Sequence, residues 1–161
     1  MSASCGHEHA SDRLSPAALN RALAEAEARL TEQGQKLTPP RRRVLELLLA
    51  EGEPVKAYDL INRFGAEGQA AKPPTVYRAL EFLEKQGLAH RIASISAFVA
   101  CHAGEGEHAA AFLICDCCGA SSEVAAPPMS ALSAAAEAAG YALERTTIEG
   151  HGRCAACRVS A

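Results

Sequence analysis

Residues 72–101 read KPPTVYRALEFLEKQGLAHRIASISAFVAC. Lys72-Pro73-Pro74-Thr75 is a helix start, because proline's fixed φ and missing N–H suit the first helical turn. Gly87 closes the segment after Gln86. Between them Val76, Ala79, Leu80 and Leu83 recur at helical spacing and define a packing face, which leaves Thr75, Tyr77, Arg78 and Glu81 largely on other faces. Leu88 to Ile92 and Ser96 to Cys101 are then two short extended runs across a tight connection, the pattern of a β-hairpin.

Towards the N-terminus, two more helices and a short one precede this unit. Ser15-Pro16 opens an Ala/Leu/Glu/Arg run to Gln33 that Gly34 stops. Thr38-Pro39 opens a second, with Val44, Leu45, Leu48 and Leu49 as its buried stripe and an end near Gly52. Residues 57–64 form a short third helix. Helix, helix, short helix, helix, hairpin is the order of a winged helix-turn-helix, in which the last helix enters the DNA major groove. Residues near the start of that helix then meet the bases. Here they are Thr75, Tyr77 and Arg78, with Lys72 and the Arg41-Arg42-Arg43 run able to contact phosphate. A run of three arginines is equally a solvated helix start.

After Cys101 the chain changes character. Ala109–Cys115 is a strand, Asp116–Gly119 a knuckle, and Glu123 lies on a short strand. Pro127-Pro128 and Ser130 open an Ala-rich helix to Ala139, and Tyr141–Ile148 alternates as a strand before a second knuckle. The expectation is an α+β protein: a flexible tail over 1–13, a winged-helix domain over 14–93, a hinge with the end of the wing over 94–103, and a small α/β domain over 104–161, with three strands and one helix.

Two Cys-x-x-Cys pairs, Cys115/Cys118 and Cys154/Cys157, have the spacing of a closed four-thiolate zinc site, because each tight knuckle supplies half a tetrahedron. Two disulfides are the alternative. The chain has no export signal or membrane-length apolar run, which implies a cytoplasmic protein without a membrane partner. In a reducing compartment, seven cysteines favour metal ligation. Cys117 makes Cys115/Cys117 an alternative pairing, and otherwise stands as a free thiol.

A second, scattered set of metal-type residues lies near the domain junction: His90, Cys101, His108 and Glu123. Two imidazoles, a thiolate and a carboxylate suit zinc, whereas the thiolate argues against manganese and disfavours ferrous iron. His102 is an alternative to Cys101 or His108. His151 is either a partner of a ligand or a surface residue. Cys5, His7 and His9 in the tail offer a further weak site or none.

The bulk numbers fit a protein of this kind. The chain of 161 residues is 48% hydrophobic and 22% charged, with 4% aromatics and no tryptophan. Small cores short of large apolar side chains gain from a metal staple. The net charge of −3 is unevenly spread: residues 11–92 carry 13 Lys/Arg against 11 Asp/Glu, and residues 93–161 carry 3 against 7. Catalysis has little support. There is no His-Glu-x-x-His run, no deaminase-type zinc motif and no phosphate-binding glycine loop.

Leu37-Thr38-Pro39-Pro40-Arg41, Lys72 to Leu80, Gly87-Leu88-Ala89-His90, Cys115-Asp116-x-Cys118-Gly119 and Glu149-Gly150-His151-Gly152-x-Cys154-x-x-Cys157 resemble the ferric-uptake-regulator superfamily, and within it the zinc-uptake branch. The match runs over about residues 15–158. The resemblance implies a homodimeric winged-helix repressor that binds AT-rich inverted repeats in double-stranded operator DNA when loaded with metal and controls zinc-uptake genes. It also implies a structural Zn²⁺ on Cys115, Cys118, Cys154 and Cys157, and at least one regulatory Zn²⁺ on His90, Cys101, His108 and Glu123. An iron, manganese or peroxide sensor of the same superfamily is the nearest alternative, with a zinc enzyme or zinc-buffering protein further off. Pro40, where many relatives carry Gln, the Cys/His tail and Cys117 depart from the common pattern.

Overall fold

The structure, a computed structural model, describes residues 14–65, 71–101 and 109–159. The tail with Cys5, His7 and His9 lies outside these residues, as do His102 and His108. The chain divides into two compact units, Ser11–Gly104 and a second containing Glu105–Ala161.

In the first unit, α1 spans Pro16–Glu32. Ser15 caps it, with Oγ accepting from the Ala18 N–H at 3.3 Å, and Leu23, Ala26 and Leu30 form its buried stripe. Helix α2, Pro39–Glu51, buries Val44, Leu45, Leu47, Leu48 and Leu49. It stops at Gly52, whose φ of 66° puts it in the left-handed region that glycine adopts without a Cβ clash. Next come strand β1, Val55–Lys56, and helix α3, Ala57–Arg63, then helix α4, Pro73–Lys85, which buries Val76, Ala79, Leu80 and Leu83. Strands β2, Ala89–Ile92, and β3, Ala97–Ala100, form the antiparallel hairpin, paired from Ala89↔Ala100 to Ile92↔Ala97.

Strand β1 was not anticipated, since two residues are too few to show any alternation. It pairs Val55↔Phe98 and Lys56↔Ala97, making β3 the middle strand of a β1-β3-β2 sheet. The hairpin is thereby stitched to the helical core. One continuous cluster joins the apolar faces of α1 to α4 with Val55, Leu88, Ala89, Phe98 and Ala100. Each large aliphatic side chain buried there contributes roughly 1.5–3 kcal/mol.

The second unit holds β4, Ala110–Cys115; β5, Ser121–Ala125; α5, Ser130–Ala138; β6, Thr147–Gly152; and α6, Ala155–Val159. Its sheet has the order β5-β4-β6, with β4 antiparallel to β5 and parallel to β6. The last strand lies later than the alternation of residues 141–148 suggests. Tyr141 and Leu143 stay exposed, and pairing begins at Ala110↔Thr147 and ends at Cys115↔Gly152. The short helix α6 was also not foreseen. None of its described helices is long and apolar enough to cross a membrane.

Candidate metal centre and nucleic-acid-facing helix

The two cysteine knuckles are the ends of neighbouring parallel strands. Cys115 is the last residue of β4, and its ladder partner Gly152 is the last of β6, so two segments far apart in sequence finish side by side. The Asp116 N–H donates to the Gly152 carbonyl at 2.8 Å and extends the ladder past the strand ends. The first knuckle then turns back: Gly119 N–H donates to Cys115 O at 2.8 Å, and Gly119 has a φ of 76°. After the second strand end, Cys154 stands before α6 and Cys157 falls in that helix, 3% exposed.

The four sulfur atoms of Cys115, Cys118, Cys154 and Cys157 all lie within 4.8 Å of one another. Cys118 Sγ and Cys154 Sγ are 3.8 Å apart. Zinc–sulfur bonds of about 2.3 Å set tetrahedral sulfurs about 3.8 Å apart, so the cluster fits a zinc ion with small rotamer changes. The described cysteines are all outside disulfides. Among the described residues, this is the group of His, Cys, Asp and Glu side chains close enough to hold a metal.

The four thiols differ in their electrostatic surroundings. The backbone N–H of Cys118, with those of Cys154 and Cys117, pulls the Cys115 thiol down to about 6 against the opposing effect of burial. At Cys118 the Ala120 N–H also pulls down, yet burial and neighbouring thiols leave the net shift upward. Burial, reinforced by the adjoining thiols, pushes Cys157 far up. Four thiolates in one cluster, two of them buried and two half-buried, would repel one another and lose hydration, and a dication would compensate both costs.

His151 lies beside this cluster on β6. Its Nδ1 is 3.1 Å from Asp116 Oδ1, and its Nε2 is 3.6 Å from Glu149 Oε2. The hydrogen bond to Asp116 raises the imidazole above its ordinary value, with Glu149 adding to the shift and burial opposing it. Glu149 and His151 share a strand face because they are two apart. Asp116 carried no sequence signal beyond its place in the knuckle.

The second candidate set is spread over both units. His90 is half-buried in β2, and half-buried Cys101 follows β3, its N–H donating to Leu88 O at 3.0 Å. With His90 opposite Val99, the ladder sets His90 and Cys101 at diagonal positions of the hairpin. Glu123 is exposed on β5, opposite Phe112. His108 lies outside the described residues.

On α4 the outward face carries Tyr77, 52% exposed, with Arg78, Glu81 and Lys85 also exposed. Lys72 is exposed just before the helix, whereas Thr75 is half-buried on the flank. The three arginines of α2 have intramolecular partners. Arg41 stacks 3.4 Å over the Phe82 ring and donates to Lys36 O at 2.8 Å. Arg42 pairs with Glu27 of α1 at 3.0 Å. Arg43 donates to Phe64 O at 2.9 Å, to Arg63 O at 3.2 Å and to Glu46 at 2.9 Å.

The model of the ferric uptake regulator family matches residues 32–151. This chain belongs to that family. It is 41% identical over 137 residues to the zinc uptake regulation protein of Escherichia coli (strain K12), covering 84% of this chain and 80% of that one. Among solved family structures, a zinc uptake regulator complexed with zinc and DNA aligns with a TM-score of 0.78 at 41% identity, over 88% of this chain and 96% of that one. A crystal structure of holo XcZur aligns with a TM-score of 0.75 at 42% identity, over 87% and 99%.

Proposed function

We propose that this family member is a zinc-responsive transcriptional repressor that binds operator DNA as a metal-loaded homodimer and controls zinc-uptake genes, rather than an enzyme. The likeness to the zinc uptake regulator complexed with zinc and DNA, at 41% identity over nearly its whole length, carries the assignment. Cys115, Cys118, Cys154 and Cys157 hold a structural Zn²⁺, a closed site with no open position for substrate. His90, Cys101, His108 and Glu123 hold a regulatory one, and their mixed nitrogen, sulfur and oxygen donors suit the same ion.

Helix α4 enters the major groove, where Thr75, Tyr77 and Arg78 meet base edges. Lys72 sits at the helix entrance, and Arg41 lies alongside; together they favour phosphate. The second unit makes the homodimer. Leu113, Val124, Leu132 and Leu143 are all exposed on it, and α5 buries no residue in the single chain. An apolar surface of that kind calls for a partner, and a second copy supplies it with twofold symmetry to match an AT-rich inverted repeat. The protein works in the cytoplasm, where its operator lies.

Regulation follows from linkage. The arrangement able to bind DNA gains population only as far as it holds zinc more tightly than the alternative, and a nearly complete shift takes about 5.5 kcal/mol of differential affinity. The deciding measurement is a gel shift on the protein's own promoter-region DNA across a buffered zinc series, with iron and manganese in parallel. Retardation that rises with zinc alone is expected; a response to iron or manganese at lower free concentration would move the protein to another branch of the family. Cys101→Ser is expected to weaken zinc-dependent retardation at least tenfold while the protein stays a folded dimer, and an unchanged zinc response would remove Cys101 from the ligand set.

A further inference from the structure

The outward face of α4 carries a carboxylate that phosphate contact does not explain. The buried residues Val76, Ala79, Leu80 and Leu83 fix the inner face, and with 3.6 residues per turn Glu81 lies near the centre of the opposite one, between Arg78 and Lys85. Glu81 is exposed, and among the described residues its carboxylate has neither an ion pair nor a hydrogen bond. Lys85, four residues on, is placed for an intrahelical pair, yet the two do not form one. An acidic group at the middle of a surface that meets a polyanion lowers affinity for every sequence, so its presence needs a compensating gain in discrimination.

We propose that Glu81 is a specificity-determining residue that accepts a hydrogen bond from the N4 amino group of a cytosine, next to the guanine read by Arg78. The inference rests on reading α4 as the groove-entering helix. In the major groove guanine shows O6 and N7, thymine shows O4, and adenine sets N7 beside its amino group, so all three turn an acceptor towards a carboxylate. Cytosine turns only a donor. Arg78 and Glu81 are three residues apart, about 5–6 Å between Cβ atoms, which lets one side chain take guanine and the other a cytosine in the neighbouring base pair. Opposite charges thus read opposite hydrogen-bonding edges, and at base pairs lacking that cytosine Glu81 repels the DNA.

The test is selection of bound duplexes from a randomised pool by the full-length, zinc-loaded protein, with wild type, Glu81→Ala, Glu81→Gln and Arg78→Ala in parallel. Wild type is expected to enrich one cytosine per half-site beside a guanine that disappears in Arg78→Ala. In Glu81→Ala that cytosine preference falls about tenfold while the guanine persists, and binding to unselected duplex rises. Glu81→Gln shifts the position towards adenine, which glutamine reads through N6 and N7. Identical base frequencies for Glu81→Ala and wild type, or a uniform loss of affinity with unchanged frequencies, would overturn the role of Glu81. A wild-type protein that enriches no sequence at all would overturn the DNA-binding reading itself, and Glu81's role with it.

Discussion

His151 joins two segments that the four-cysteine cluster also brings together. Its imidazole reaches from β6 to Asp116 of the first knuckle at 3.1 Å, and the resulting shift is upward from 6.5. A folded-state value above the unfolded one gives stabilisation that is complete below the ordinary histidine range and is lost as pH rises through the raised value. An NMR titration of the His151 ring in the zinc-loaded protein should therefore give a midpoint above 6.5, and Asp116→Asn should bring it back down; a wild-type midpoint at or below 6.5 would mean that the contact does not hold in solution. The contrast between this residue and the cysteines marks what single residues reveal. Cys-x-x-Cys repeats announce themselves by spacing, because one turn must deliver two sulfurs to one ion. The partner of His151 depends on which strands are neighbours, and no local pattern encodes that.

Among the elements, helices α1, α2 and α4 were legible because their apolar positions recur at helical spacing between proline starts and glycine stops, whereas the strands depended on partners. Thr147–Gly152 pairs with β4 because the ladder brings Gly152 opposite Cys115, and this outweighs the alternation of residues 141–148, whose Tyr141 and Leu143 remain in solvent. The three arginines at the start of α2 show the same limit. As a charge run they suggest phosphate contact, but the Arg43 guanidinium caps the end of α3 through the Arg63 and Phe64 carbonyls. Arg43→Lys keeps the charge and loses the planar fork, so it should lower the stability of the helical unit by about 1 kcal/mol in urea denaturation. Arg42→Ala breaks an exposed pair with Glu27 and should cost no more than about 0.5 kcal/mol. A variant Arg43→Lys with full stability but weakened DNA binding would assign this arginine to phosphate instead.

Across the whole molecule the apolar core is unequally shared. The continuous cluster runs through α1 to α4 and the sheet beside them, while the described buried apolar residues of the second unit are Ala110, Ala111, Phe112, Ile114, Cys115 and Cys157. Two of those six are thiols of the four-cysteine cluster. Burial on that scale cannot offset the chain entropy of some fifty ordered residues, and under the proposed function zinc in the four-cysteine cluster and a second copy against the exposed apolar surface make up the difference. Structural zinc in Cys-rich sites supplies on the order of 10 kcal/mol or more to folding, far beyond what one buried side chain contributes. Cys154→Ser should accordingly unfold residues 109–159 and dissociate the dimer, while the helices of the first unit persist. Hydrogen exchange resolves the two halves: in the variant, amides of β4 and β6 should lose protection and those of α2 and α4 should keep it. Equal loss in both halves would mean that the first unit needs the second in order to fold. Retained protection in β4 and β6, with a stable dimer, would mean that the four-sulfur cluster does not hold the unit together.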